Sequence, residues 1–361
     1  MQPPPASPAH RVTEPRGGIA RGAGQGHRSL DFPGVMLLSS HAMSEWIKLP
    51  NGKSGDGRGL CEFVTGDFGH IYAPSRVLCS KRTEFQEMEI IESATFGRIL
   101  FLDGKVQVSY LDEERYHQYL VQGPLLALDA PRSIYIIGGG DGGAIEEAAK
   151  HRGLTRIVMA ELDREVVEGC QEFLPKVCKG AFQDPRVELR CVDALADLRR
   201  RREAYDAIIV DLTEPHGPSK MLYTREFYRL LASRLRPGGT VGIHTDNFDL
   251  FPEAYGTIFN TLSSVFGPNI LTAQVGMPCF GMQWSFRIAS PDPIDPGRIS
   301  RRFEEAVAGG MDLDAFHPST YRLEPSLLER QVIQKYSRVS TDDCPFDKFA
   351  SFPSYVAGRE T

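Results

Sequence analysis

Several patterns that mark common classes of protein are missing from this chain of 361 residues. Its seven cysteines form no Cys-x-x-Cys pair, which favours reduced and mostly buried thiols over a disulfide framework. None of the nine histidines stands in a His-Glu-x-x-His pattern, so the sequence predicts no metal site. The formal net charge of -6 offers no basic surface to nucleic acid or to an anionic membrane, and neither partner is expected.

The first 42 residues differ in amino-acid composition from the rest of the chain. Their apolar run, residues 35–38, is too short for a signal-peptide core or a membrane span. The segment is rich in proline and glycine, and we expect it to be disordered and dispensable, with Met36 or Met43 as the working start. Overall, a composition of 41% hydrophobic and 24% charged residues is typical of a cytoplasmic enzyme with one large or two moderate cores.

The most informative segment is an apolar run, residues 134–137, that stops at a glycine-rich loop, Gly138-Gly139-Gly140-Asp141-Gly142-Gly143. The pattern predicts a buried strand and a loop whose backbone can approach a nucleoside closely. A dinucleotide-binding loop keeps this place free for pyrophosphate, so Asp141 favours a cationic adenosine ligand over NAD. A plain turn between a strand and a helix uses the same residues and is the competing interpretation.

Three further apolar runs downstream end at the carboxylates Glu161, Asp193 and Asp211. In an open parallel sheet the ligand crevice lies beyond the carboxyl ends of the strands, so these acids and Asp141 should converge on one cleft. Glu161 is suitably spaced from the loop to accept both ribose hydroxyls. For each acid alone, capping of the next helix is an equally good explanation; for all four together, a shared cleft is the better one.

The order of apolar runs predicts the fold class as α/β, with a Rossmann-like, class I methyltransferase-type doubly wound sheet of about seven strands. A small antiparallel β domain precedes it, with a hairpin at Asp103-Gly104. We expect a helix over residues 113–128, another capped by Thr224, and a fifth strand over 240–244. The predicted division is an extension over 1–42, a β domain over 43–125, a catalytic domain over 126–300, and a C-terminal helical and irregular extension over 301–361.

Four motifs, taken together, resemble the polyamine aminopropyltransferases, the spermidine synthase family. They are the glycine-rich loop, Glu161-Leu162-Asp163, Val192-Asp193-Ala194, and Asp211-Leu212-Thr213-Glu214-Pro215. The resemblance extends from about Trp46 to Ser290 and includes Phe85-Gln86, the stretch 102–107, and residues 112–117. Several independent motifs in the right order make chance agreement a poor explanation.

The resemblance implies a donor, decarboxylated adenosylmethionine, that is a co-substrate and not a bound cofactor. An amine of the acceptor attacks the carbon beside the sulfonium and expels methylthioadenosine. An alkylamine with a pKa of about 10 is protonated at neutral pH, so a carboxylate must accept its proton. By resemblance, Asp211 is that base, and Tyr116 and Glu214 hold the attacking nitrogen.

The resemblance also implies a set of residues that bind the donor or methylthioadenosine. Asp141 would bind the aminopropyl ammonium, Glu161 the ribose, and Asp193 the adenine amino group. The full set is Gln86, His117, Gly138, Asp141, Glu161, Asp193 and Ala194. A histidine on the helix surface is the alternative for His117. Residues 213–223 would form a lid over the substrates, and the family implies a homodimer or homotetramer.

Two positions leave the acceptor open. Glu214 stands where spermidine synthases usually have a second Asp, and Phe280 where they have Tyr. Phe280 and Trp284, both expected to line the acceptor site, belong to a stretch that is more similar to thermospermine synthases, which extend spermidine. We predict putrescine as the acceptor, giving spermidine, with spermidine itself as the alternative.

Two other classes of protein compete with this interpretation. A methyltransferase must hold a methionine carboxylate near the glycine-rich loop, where the charge of Asp141 would repel it. A binding module without catalysis could keep the glycines and lose the acids, whereas Asp141, Asp211 and Tyr116 are all present. Both alternatives therefore explain the residues less well than aminopropyl transfer does.

Overall fold

The computed structural model describes residues 44–49, 57–65 and 68–350. The predicted disordered extension over 1–42 and both candidate start residues, Met36 and Met43, lie outside the described residues. The last eleven positions, 351–361, lie outside them as well. The predicted boundaries between the domains stay predictions.

The chain begins with two antiparallel sheets. The first sheet consists, in spatial order, of β1 (Ser44–Lys48), β2 (Arg58–Phe63) and β3 (Gly69–Tyr72), and the second of β4 (Arg76–Arg82), β5 (Glu87–Ser93), β6 (Gly97–Leu102) and β7 (Lys105–Ser109). The turn between β6 and β7 has φ values of 47° at Asp103 and 72° at Gly104, the positive pair that a two-residue hairpin requires. The predicted small antiparallel domain and its hairpin are confirmed.

A seven-stranded sheet forms the centre of the molecule. Its strands are β8 (Ser133–Gly138), β9 (Arg156–Glu161), β10 (Val187–Cys191), β11 (Tyr205–Asp211), β12 (Leu235–His244), β13 (Ile270–Met277) and β14 (Met282–Ala289), in the order β10-β9-β8-β11-β12-β14-β13. The first five strands are parallel, and β14 is antiparallel to both of its neighbours. The predicted doubly wound α/β sheet is confirmed. Its strand order reverses between β8 and β11, which is where such sheets bind ligands.

Helices cover both faces of this sheet. They are α1 (Glu113–His117), α2 (Gly123–Leu126), α3 (Gly143–Ala149), α4 (Arg164–Phe173), α5 (Pro175–Cys178), α6 (Ala194–Arg200), α7 (Arg225–Ser233), α8 (Pro252–Phe266), α9 (Pro296–Ala308) and α10 (Leu327–Lys335). A π-helical turn, Gln118–Gln122, joins α1 to α2, and 3-10 turns occupy Ala181–Gln183, Gly217–Tyr223 and Pro318–Thr320. None of the helices in the described ranges has both the length and the apolar character that crossing a membrane requires.

Alternate residues of the central strands pack into separate cores on the two faces of the sheet. Ile134 and Ile136 of β8 lie in one core, and Tyr135 and Ile137 lie in the other, as the two-residue period of a strand dictates. Every residue of β8 is buried, since this strand is covered on both faces. The position of β8 in the middle of the sheet brings the glycine-rich loop to the centre of the molecule.

Two elements differ from the sequence-based expectation in detail. The predicted helix over 113–128 is interrupted by the π-helical turn, but α1, this turn and α2 follow each other without a break. Strand β12 begins at Leu235 rather than at Thr240, because Leu235 pairs with Tyr205 before the register of β11 and β12 shifts. The Pro-Gly-Gly stretch at 237–239 thus lies within the strand and accompanies its irregularity.

Residues 301–350, the described part of the C-terminal region, pack back against the rest of the chain. Leu313, Phe316 and Tyr321 are buried in the larger core, and the Tyr321 hydroxyl donates a hydrogen bond to the carbonyl of Tyr119 at 2.5 Å. Further along, the side chain of Asp342 reaches the beginning of α7. Its Oδ1 accepts a hydrogen bond from the Thr224 hydroxyl at 2.7 Å. The C-terminal region is therefore part of the folded body.

A stability measurement can test two of the hydrogen bonds of the Thr224 side chain, whose hydroxyl also lies 3.2 Å from the Met221 carbonyl. Its hydroxyl oxygen accepts a hydrogen bond from the amide of Phe227 at 3.2 Å, the N-cap that the sequence predicts, and its hydroxyl hydrogen is donated to Asp342. We expect Thr224→Ala to lower the free energy of unfolding by about 1 to 2 kcal/mol, since the cap is lost in a buried place. Urea unfolding measures this difference. Thr224→Ser keeps both bonds and is the control; an alanine variant as stable as the serine variant would contradict the prediction.

Candidate active site

A cavity of about 680 Å³ opens at the carboxyl ends of the parallel strands, within the size range of small-molecule sites. The antiparallel hairpin and the 3-10 turn Gly217–Tyr223 form its other walls. Most of the residues predicted for the site line it: Gln86, Tyr116, Gly138, Asp141, Glu161, Asp193, Ala194, Asp211 and Glu214. The convergence expected for the four strand-end acids is therefore found.

The glycine-rich loop approaches the end of β11 closely. Gly138 and Gly139 have φ values of 75° and 77°, and the Gly139 amide donates a hydrogen bond to the Asp211 carbonyl at 3.0 Å. A Cβ atom at Gly138 would lie 2.1 Å from that carbonyl oxygen, and one at Gly139 would lie 3.0 Å from Oδ2 of Asp211. Glycine is thus required here by both conformation and space.

The Asp211 carboxylate is arranged as an acceptor of protons. Its Oδ1 accepts a hydrogen bond from the Tyr116 hydroxyl at 2.9 Å, while its buried Oδ2 has no hydrogen-bond partner among the described residues. Burial, together with the nearby charge of Asp141, raises the pKa of Asp211 to about 7, although His117 and Tyr116 oppose the shift. A carboxyl group with such a pKa exchanges protons readily at neutral pH.

His117 lies behind Asp141 and is fully buried, so the alternative of a surface histidine is wrong. Its Nε2 is 3.3 Å from Oδ1 of Asp141, and its Nδ1 is 3.2 Å from Oε2 of Glu113. Burial alone would lower the pKa of His117, but these two carboxylates outweigh it and raise the pKa well above its usual value. The described residues that line the cavity do not include His117, so its contact with Asp141 is the role that the geometry assigns to it.

One group of side chains has the donor atoms of a metal site. Ligand-type atoms of His117, Asp141 and Asp211 lie within 4.8 Å of one another. An imidazole must be neutral to bind a metal, whereas the two carboxylates beside His117 favour its protonated form. The cationic imidazole already supplies a positive charge to Asp141, and this is the arrangement that the contacts support.

The part of the cavity at β9 and β10 holds the remaining predicted donor residues. Glu161 accepts a hydrogen bond from the Asp163 amide at 2.9 Å, and burial raises the pKa of Glu161 to about 7. The side-chain amide of Gln86 donates a hydrogen bond to Oδ2 of Asp163 at 3.1 Å, and this bond holds the Gln86 side chain at the cavity wall. Asp193 caps α6 by accepting from the Leu195 amide at 2.8 Å. Asp193 therefore both caps α6 and lines the cavity.

A narrow branch of about 40 Å³ continues from Tyr116 beyond the main cavity. Phe280 and Trp284 line it as predicted, with ring centroids 4.9 Å apart, and His244 is stacked on Trp284 at 5.7 Å. Two ring nitrogens, Nδ1 of His244 and Nε1 of Trp284, are buried and lack hydrogen-bond partners in the described part of the chain. The branch therefore combines aromatic walls with unpaired polar atoms.

Two lysines at the end of this branch were not predicted as site residues. Lys105 donates a hydrogen bond to the Phe63 carbonyl, and Lys348 contacts Oδ2 of Asp246 at 2.7 Å and Oε1 of Glu214 at 3.4 Å. Burial alone would raise the pKa of Glu214, but the two ammonium groups outweigh it and hold the pKa at about 2. Lys105 follows the predicted hairpin turn directly, so its neighbourhood could be inferred from the sequence. No motif marks Lys348.

The strand order, with a crevice where that order reverses, defines a Rossmann-like α/β fold of the class I methyltransferase type. Two regions match sequence models of protein families: residues 61–109 match the spermidine synthase tetramerisation domain, and residues 113–295 the spermine/spermidine synthase domain. The chain belongs to the spermine/spermidine synthase family. It is accordingly an aminopropyltransferase, and the resemblance inferred from its motifs is confirmed.

Named relatives and solved structures agree with this assignment. The polyamine aminopropyltransferase of Korarchaeum cryptofilum is 31% identical over 318 residues, which are 86% of this chain and 98% of that protein. Polyamine aminopropyltransferase 2 of Pseudomonas aeruginosa is 42% identical over 248 residues, 66% of this chain and 70% of that protein. Spermidine synthase from Thermotoga maritima superposes with a TM-score of 0.68 at 25% identity, over 76% of this chain and 94% of that one. A spermidine synthase in complex with the transition state analogue AdoDATO gives the same score and identity, over 76% of this chain and 93% of that one.

The contact between Tyr116 and Asp211 can be tested without any substrate. The hydrogen bond from Tyr116 lowers the pKa of Asp211, so Tyr116→Phe should raise that pKa above about 7. Carbon-13 NMR of the side-chain carboxyl groups follows the titration, with Asp211→Asn to assign the signal. Tyr119→Phe, which removes a hydroxyl bonded to Thr320 instead, should leave the pKa unchanged. An unchanged or lower pKa in Tyr116→Phe would refute the interpretation.

Proposed function

We propose that this enzyme transfers the aminopropyl group of decarboxylated adenosylmethionine to putrescine, yielding spermidine and methylthioadenosine. One observation supports this reaction above all others: the Asp211 carboxylate lies at the cavity wall with an unpaired oxygen. Its Oδ1 accepts a hydrogen bond from Tyr116, and its buried Oδ2 has no hydrogen-bond partner among the described residues. A base in this position accepts a proton from an amine that enters beside Tyr116.

The main cavity suits a donor that carries positive charge. Asp141, Glu161 and Asp211 bring three carboxyl groups to its wall, and a sulfonium and an ammonium both gain from such surroundings. His117 and the Gly143 amide both contact Oδ1 of Asp141, which leaves Oδ2 for the aminopropyl ammonium. Glu161 would accept hydrogen bonds from the ribose hydroxyls, and Asp193 from the adenine amino group. Gln86, Gly138 and Ala194 would complete the nucleoside site.

The reaction then follows from the positions of these groups. Asp211 takes a proton from the acceptor's ammonium, and the freed lone pair forms a bond to the carbon beside sulfur. The electrons of the breaking carbon–sulfur bond remain on sulfur, so the sulfonium becomes the neutral thioether of methylthioadenosine. Tyr116 orients the carboxylate through its hydrogen bond. Alignment of nitrogen and carbon in one cavity supplies much of the acceleration.

The turn Gly217–Tyr223 and the residues before it would act as the lid. They line the cavity above the glycine-rich loop, and the Tyr223 hydroxyl is bonded to the Thr213 carbonyl at 2.9 Å. Exclusion of water favours attack by an amine over hydrolysis of the donor. The lid therefore protects the donor until the acceptor is bound.

The small volume of the branch beyond Tyr116 supports a short acceptor. About 40 Å³ is far below the roughly 300 Å³ of the smallest ordinary ligand sites, which favours the end of a diamine over a longer chain as the occupant of the branch. Phe280 and Trp284 would flank the methylene groups of putrescine. The resemblance implies that Glu214 holds the attacking nitrogen, but its position beside Lys348 favours the far ammonium of putrescine as its partner instead. The aromatic walls are the feature that keeps spermidine as the second candidate acceptor.

We further propose that the chain assembles with copies of itself as a homodimer or homotetramer in the cytoplasm. The match of residues 61–109 to a tetramerisation domain supports self-assembly. Light scattering after gel filtration distinguishes the monomer, dimer and tetramer.

Product analysis tests the proposed reaction. We expect methylthioadenosine and spermidine by mass spectrometry after incubation with the donor and putrescine, and no product with spermidine, cadaverine or agmatine. In Asp211→Asn, kcat should fall by a factor of about 100 or more while methylthioadenosine still binds, as happens when a positioned base is removed. Asp129→Asn, at an exposed residue, is the control. Product from spermidine alone would reverse the choice of acceptor, and a near-normal rate in Asp211→Asn would remove Asp211 from the role of base.

Asp141 gives a second, independent test of the donor site. Methylthioadenosine has no ammonium, so Asp141→Asn should weaken the binding of decarboxylated adenosylmethionine much more than that of methylthioadenosine. Isothermal calorimetry with both ligands measures the difference, and the asparagine can still accept the hydrogen bond from the Gly143 amide. Equal weakening of both ligands would mean that Asp141 only shapes the loop.

A further inference from the structure

The segment that follows α10, residues 336–350, returns to the active site and is held there at several points. The Ser340 carbonyl accepts from the Arg225 amide at 2.8 Å, and the Ser340 hydroxyl accepts from the Phe346 amide at 2.9 Å. Nearer the cavity, the Lys348 amide donates to the Pro215 carbonyl at 2.8 Å. The segment is therefore held by hydrogen bonds both at Ser340 and at Lys348 itself, and it forms part of the wall of the narrow branch.

The side chain of Lys348 is directed into the protein at the end of the narrow branch. Only 4% of the residue is exposed, and its ammonium lies 3.6 Å from the centre of the Phe251 ring in addition to its contacts with Asp246 and Glu214. Two carboxylates and an aromatic face are the surroundings that bind an alkylammonium ion. A lysine side chain is itself four methylene groups that end in an ammonium. Lys348 thus occupies, at the end of the branch, surroundings of the kind that would bind the far end of a long polyamine.

Among the described residues that line the branch, the two acids Glu62 and Glu214 each lie near the ammonium group of a lysine. Glu214 and Asp246 share Lys348, and Glu62 lies beside Lys105 at the same end. An acceptor with one ammonium beyond the attacking nitrogen can use the remaining oxygen of Glu214. A second ammonium would have to approach Lys348 or Lys105 and share a carboxylate with it, and repulsion between like charges in a buried place is strong.

Building on the proposed function, we propose that Lys348 is a specificity-determining residue that restricts the acceptor to a diamine. Its ammonium repels, and its side chain displaces, any acceptor that extends past Glu214 with a further ammonium. Discrimination of this kind comes from a group placed against the wrong ligand and not from a stronger contact with the right one.

Variants of Lys348 separate the effects of charge and of space. Lys348→Ala frees both acids and opens the branch, so the ratio of kcat/KM for spermidine to that for putrescine should rise roughly tenfold or more. Lys348→Met keeps most of the volume without the charge and should raise the ratio less. Lys348→Arg keeps the charge and should retain the preference for putrescine. Lys335→Ala, at an exposed lysine in the same region, is the matched control and should behave as the wild type.

Binding measurements keep this test apart from the test of the reaction itself. Calorimetric titration of spermidine and putrescine into protein saturated with methylthioadenosine reports acceptor selection even if no variant turns over. Absence of product from the wild type with every amine would refute the proposed function, while a gain in spermidine affinity in Lys348→Ala would still support the role of Lys348. An unchanged ratio of affinities in a folded Lys348→Ala, or in Lys348→Met if the alanine variant does not fold, would overturn the proposal. A preference of the wild type for spermidine would overturn it too.

Discussion

The close approach of the Asp211 backbone to the glycine-rich loop is the constraint on which the site depends. The sheet places β11 beside β8, and glycines at the end of β8 let the two chain segments meet without a side chain between them. Asp211 is thereby buried near Asp141 and within reach of Tyr116. The raised pKa of Asp211, the orientation of its carboxylate and the shape of the cavity all follow from this one packing arrangement.

The site separates its charges into two regions of different character. In the main cavity, acids dominate, and burial raises the pKa of both Glu161 and Asp211 to about 7. In the narrow branch, Glu214 is already compensated by Lys105 and Lys348, which hold its pKa at about 2. Under the proposed function, a cationic donor would therefore relieve an existing excess of negative charge, whereas a cationic acceptor would enter a region whose charges are close to balanced.

The parts of the site that the sequence predicted are those that a regular sheet brings together. Asp141, Glu161 and Asp211 follow apolar runs, and parallel strands deliver their ends to one edge, so their convergence could be inferred from order alone. The position of His117 behind Asp141 could not, because it depends on which face of an interrupted helix meets the loop. Lys348 could not either: it lies 134 residues from Glu214 along the chain, and no local pattern encodes a contact at that distance.

The loop proposed as the lid, residues 213–223, and the C-terminal segment, residues 336–350, contact each other at two neighbouring positions of each. His216 contacts Asp347 at 2.8 Å, and the Pro215 carbonyl accepts the Lys348 amide at 2.8 Å. Through these two bonds, a displacement of the turn Gly217–Tyr223 is transmitted to the segment that carries the Lys348 ammonium. Under the proposed function, opening of the turn for the donor would therefore also displace Lys348 from the acceptor branch, so that the two substrates would gain access to the site in one concerted motion.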